Sequence, residues 1–236
     1  MTVVRIFVQA PTQTGLLYTM NEEKIRAASS TIDNASTRQP YAPVKSVEIS
    51  GAAPAAFRFV LTCIDEHEKS KRRPGDELRI KAHEEPLAGT TAIYEAIEVL
   101  GIKPPQPHIE NHIIGHIAHN TLRPNELVTP HKTFVGRRET SKAWRTLVHQ
   151  TAYYVVYQEY TPEEADALQR AVAPYPELRS AIETKIVNEL LPRKAFEDET
   201  RANIETGLAV GRGEKRIVAG KTGRGKGMRI EGEMSP

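Results

Sequence analysis

The chain has 236 residues, of which 39% are hydrophobic and 26% charged, enough length and apolar content for one or two domains with buried cores. A formal net charge of only +2 excludes a uniformly basic nucleic-acid binder, so any such contact would rest on a local patch. Cys63 is the single cysteine, which excludes an internal disulfide and suits a reducing compartment, cytoplasm or nucleus.

Met1-Thr2-Val3-Val4-Arg5 lacks the basic and then apolar order of a secretory leader. No apolar run approaches ~18 residues, so no membrane span is expected. Thr2 to Val8 is β-branched and alternating, a strand that pairs through the turn at Pro11–Gly15 with Leu16-Leu17-Tyr18. Asn21 with Glu22 and Glu23 opens a helix to about Asn34, with Ile25, Ala28 and Ile32 on one face. Val44, Val47 and Ile49 mark a third strand. From Pro54 a strong amphipathic helix carries Phe57, Val60, Leu61 and Ile64 at i, i+3, i+4, i+7.

Leu78–Ala82 reads as a short strand, and Thr90–Leu100 as a helix closed by Gly101. A proline elbow at 103–107 leads into a helix to about Leu122, and the pattern is helical from there on. Ser141–Glu159 carries Trp144, Leu147, Val148 and Val155. Thr161-Pro162-Glu163-Glu164 is a specific helix start. Glu177–Leu191 repeats Leu178, Ile182, Ile186 and Leu190 at strict four-residue spacing, and Ala195–Thr206 is a last helix. From Gly207, eight of the 15 glycines are interleaved with arginine and lysine. Such a segment buries too little apolar area to order itself and is expected to be disordered.

The order of elements over residues 2–122 resembles a BTB/POZ domain, most nearly the divergent BTB-like proteins of filamentous fungi. Three stretches carry the likeness: the hairpin Val3–Met20 with its following helix, Val44–Ile49 leading to Phe57-Arg58-Phe59-Val60-Leu61, and Thr91–Ile102 with its Leu100-Gly101-Ile102 ending. The resemblance implies an α+β fold, a small mixed sheet with helical hairpins. An all-helical extension at 123–206 and the tail at 207–236 would follow the interaction domain at 1–122. It also implies protein partners, a second copy of the chain among them, and sometimes a cullin-type scaffold; no catalytic constellation stands out along the chain, so no enzymatic activity and no cofactor is expected. Dimerisation would use Val3, Arg5, Phe7, Ile25 and Ile32. An adaptor or regulator of this kind would be cytoplasmic or nuclear.

Other residues offer alternatives. His108, His112, His116 and His119 share a helical face, and histidines at i, i+4 can hold zinc; otherwise they form a polar face opposite Ile109, Ile113, Ile114 and Ile117. Arg212, Lys215, Arg216, Lys221, Arg224, Lys226 and Arg229 could touch nucleic-acid phosphates, as in a nuclear regulator, or merely solubilise. The charged run Asp65–Arg73 reads as a localisation patch or a solvated helix end. Cys63 is expected to be buried and inert. Tyr153–Tyr157 is apolar nearly all round and is expected in a core.

Overall fold

A computed structural model describes residues 2–9, 14–70, 76–82 and 85–219. Strands β1 (Val3–Gln9) and β2 (Thr14–Asn21) pair antiparallel, and β3 (Val44–Ile49) joins β1 in parallel, giving a mixed sheet of order β2-β1-β3. Ten α-helices lie among the described residues: α1 (Glu22–Ala28), α2 (Ser30–Thr37), α3 (Pro54–Ser70), α4 (Leu87–Leu100), α5 (Pro107–His119), α6 (Val128–Phe134), α7 (Lys142–Val156), α8 (Pro162–Val172), α9 (Pro176–Lys185) and α10 (Leu191–Ala219). The fold class is α+β.

The chain divides into two compact units, Met1–Ile186 and Val187–Pro236. In the first, packing is continuous across residue 122: α5 lies on α7, and α4 on α6. α6 and α7 thus continue the core begun by the sheet. That core comprises Val4, Ile6, Phe57, Val60, Leu61, Leu100, Ile113, Ile117, Phe134 and Leu147, none more than 1% exposed. A side chain such as Phe57, wholly removed from water, contributes about 2–3 kcal/mol of hydrophobic stabilisation.

Four expectations change. The helix expected over 22–34 is two helices, because Ser29 is extended (φ −134°, ψ 118°) and bridges to Ile102. The cause lies in the hydroxyls. Ser29 Oγ donates to the Leu100 carbonyl (2.6 Å), Ser30 Oγ to Gly101 (3.0 Å) and Thr31 Oγ1 to Val99 (2.8 Å). These are carbonyls that the end of α4 leaves without helical partners. Gly101 closes α4 in the left-handed region (φ 58°), where a Cβ would also crowd Ser30 Oγ, so glycine is favoured there.

Second, among the described residues Leu78–Ala82 joins no ladder. Its alternation is real, with Leu78, Ile80 and Ala82 buried, but side chains bind its backbone instead. Gln106 accepts from Ile80 N (3.1 Å) and donates to the Leu78 carbonyl (2.9 Å), and His108 Nε2 bonds the Ile80 carbonyl (2.8 Å). Third, β3 places Lys45, Val47 and Ile49 inward and leaves Val44 exposed. Fourth, the four-residue repeat of Leu178 to Leu190 is not one α-helix. Such a repeat drifts about 40° per step on 3.6 residues per turn, and a π-helical turn at Ile186–Leu190 follows α9.

α10 carries helical backbone from Leu191 to Ala219, into the segment expected to lack structure. Residues 220–236 lie outside the described residues. Within α10, Arg193 pairs with Glu197 one turn on (2.8 Å), while Leu191, Phe196 and Ile204 are exposed.

Candidate interaction surface

A strand shows alternate side chains to opposite faces, and β1 is divided cleanly. Val4, Ile6 and Val8 are buried against the helices; Val3 and Phe7 are half-buried and Arg5 is exposed. The pairing register extends that second face across the sheet in rows. Val3 lies between Asn21 and Val44, Arg5 between Thr19 and Ser46, and Phe7 between Leu16 and Glu48. Leu16 is 55% exposed and Val44 41%. The result is an open face with apolar groups, Val3 and Val44 at one end and Phe7 and Leu16 at the other, around Arg5.

Of the five expected interaction residues, Val3, Arg5 and Phe7 share this face. Ile25 and Ile32 do not. Both are 0% exposed, because α1 and α2 turn them into the core, so they hold the fold and cannot meet a partner.

Behind the sheet lies a charged joint that the sequence did not announce. Lys45 Nζ reaches Glu22 Oε1 at 2.6 Å with both side chains largely buried; Arg26 bonds Glu22 (3.2 Å) and Asp33 (2.7 Å). The Lys45 hydrogen bond holds the Glu22 carboxyl below its usual range. This network ties β3 to α1 and α1 to α2. The one available signal was a lysine in an inward-phase position of β3.

The histidine face is not brought together for metal. His108 is half-buried and engaged with Ile80, His112 and His119 are exposed, and His116 is half-buried. Among the described residues no three of His, Cys, Asp and Glu are grouped to hold a metal ion. Arg212, Lys215 and Arg216 fall on the helical backbone of α10, while Lys221, Arg224, Lys226 and Arg229 lie outside the described residues. Lys69 of the charged run pairs with Asp65 one turn back (2.6 Å); Lys71, Arg72 and Arg73 are outside the described residues.

Cys63 is half-buried rather than fully buried, and burial pushes its thiol up, away from the reactive thiolate. The Tyr153–Tyr157 cluster is only partly in the core. Tyr154 and Val156 are buried, Val155 is 38% exposed, and Tyr153 stacks on Tyr157 with ring centres 4.3 Å apart. α7 thus turns Tyr154 and Val156 to its neighbours and leaves Val155 on the solvent side.

One further cluster went unread. His131 is 3% exposed, with its ring 5.4 Å from Trp144 and 4.6 Å from Tyr175, and among the described residues its Nδ1 has no hydrogen-bond partner. Burial lowers its tendency to take a proton. Among the described residues no helix is long and apolar enough to cross a membrane.

No protein-family model matches the chain, and neither the curated proteins nor the solved structures contain a match.

Proposed function

We propose that this chain is a protein–protein interaction module of BTB/POZ-like kind, a homo-oligomerising adaptor or regulator whose docking surface is the open face of the sheet. The observation that carries this is the row arrangement on β1, β2 and β3. Apolar Val3, Phe7, Leu16 and Val44 face outward around Arg5, although the sheet has an inner face that could have taken apolar residues. Surface patches with aromatic, aliphatic and arginine side chains mark partner sites. The element order on which the resemblance to BTB/POZ domains rests, a hairpin, a helical stretch and a third strand, supports the same reading; the break at Ser29 and the parallel pairing of β3 with β1 are no part of that expectation. A cullin-type scaffold stays among the proposed partners.

Sedimentation equilibrium of the full chain tests it. The native chain should show concentration-dependent self-association, and Phe7→Glu should shift the equilibrium at least about tenfold toward monomer, with an unchanged circular dichroism spectrum. A native chain that is strictly monomeric, or a variant that associates equally well, contradicts self-association through this face.

A further inference from the structure

A small cavity of about 210 Å³ opens between the extended segment 78–82 and the first two turns of α5, lined by Arg79, Ala82, Thr90, His108, Ile109 and His112. We infer that it binds a small oxyanion, a phosphate group or a carboxylate. The inference is independent of the sheet face.

The chemistry starts from which groups are committed elsewhere. Thr90 Oγ1 donates to the carbonyls of Ala82 (3.0 Å) and Glu85 (3.1 Å), so it holds the cavity wall and is spoken for. His108 Nε2 faces a carbonyl, which can only accept, so that nitrogen carries the hydrogen. Arg79 alternates outward from buried Leu78 and Ile80 and is exposed at the rim. Among the described residues neither Arg79 nor His112 has a hydrogen-bond or ion-pair partner. The floor is apolar, Ala82 and Ile109.

Arg79 is always charged and presents a planar fork of N–H donors suited to two oxygens of one anion. His112 adds an imidazole donor on the same cavity. That combination opposes a metal ion at His108 and His112, since a fixed guanidinium charge repels a cation in the same small space. It favours an anion for the same reason. Two described acids of the neighbouring elements, Glu85 and Glu110, do not line the cavity. Glu85 folds back over α4, its Oε2 standing 3.0 Å from where a Cβ on Gly89 would be. Glu110 is two residues from both His108 and His112, about 200° round the helix from each, and acts on Tyr94 and Arg137.

The experiment is a titration of the full chain with inorganic phosphate, and separately with acetate, followed by the ring signals of its eight histidines in nuclear magnetic resonance. Sodium chloride holds ionic strength constant, and His108→Gln and His112→Gln assign the signals. The inference expects saturable shifts of the His108 and His112 signals, with Arg79→Gln weakening the phosphate isotherm at least about tenfold while circular dichroism shows the fold intact. Saturation by phosphate alone identifies a phosphate site; saturation by acetate as well identifies a general oxyanion site that a partner's acidic side chain could fill. Shifts that fail to saturate with either anion, or an unchanged isotherm in Arg79→Gln, overturn the inference.

Discussion

Ser29 makes two demands of one hydroxyl: it donates to the Leu100 carbonyl at 2.6 Å and accepts from Ile32 N at 3.2 Å, in a position that is 0% exposed. Removing it uncaps α2 and strands a buried carbonyl at the end of α4. Ser29→Ala should therefore cost about 2–3 kcal/mol of stability, measured as a lowered midpoint in urea with an unchanged slope. Ser30→Ala should cost less, since its hydroxyl is half-exposed and Gly101 O keeps the Ser30 backbone N–H (3.1 Å). Equal losses at the two positions would show that the hydroxyl network is not what divides α1 from α2.

At the scale of elements, His131 joins three helices: it sits on α6, against Trp144 of α7 and against Tyr175 at the start of α9. Lys132, 6.0 Å from the centre of the Tyr175 ring, and Glu177 are the charged groups that bear on it. The folded chain holds His131 neutral below its ordinary value of 6.5, burial being the main cause. Above that value both folded and unfolded chains leave it neutral, and its stabilising packing is complete. As pH falls below 6.5, the unfolded chain takes a proton that the folded chain resists, so stability is lost until the folded value is reached and then levels. Denaturation midpoints measured from pH 7.5 to about 4.5 should fall more steeply in the native chain than in His131→Phe. Parallel slopes would show that His131 titrates in the fold as it does in the unfolded chain.

These elements also show what a sequence can reveal. The helix α3 was legible because Phe57, Val60, Leu61 and Ile64 repeat at helical spacing and pack on one side. The hairpin β1–β2 was legible from alternation and a turn. The break at Ser29 was not, because Ser29, Ser30 and Thr31 fit a helix locally and are diverted only by carbonyls about 70 residues away. The segment at 78–82 looked like a strand because its alternation is that of one, while its hydrogen-bond partners, Gln106 and His108, are side chains with no ladder signature. Of the proposed interaction face, the shared side of Val3, Arg5 and Phe7 follows from strand phase. Ile25 and Ile32 were placed with them because an apolar helix stripe looks the same whether it meets the core or a partner.

For the molecule as a whole, the joint of Lys45, Glu22 and Arg26 behind the sheet and the hydroxyls that tie α2 to α4 fix the sheet from its inner side. On the outer face Arg5, Leu16 and Val44 are exposed and Val3 and Phe7 half-buried. α6 and α7 extend the same core, so removing them would expose the faces of α4 and α5 that they cover. The interaction reading belongs to the first unit, Met1–Ile186, and is tested most directly by a photo-crosslinking amino acid in place of Phe7. Compared with the same group in place of Arg145, exposed on α7, the group at position 7 should give a discrete adduct, with a second copy of the chain or with a partner protein. Adducts in equal yield from both positions, or none from position 7, would contradict the assignment of the open sheet face as the docking surface.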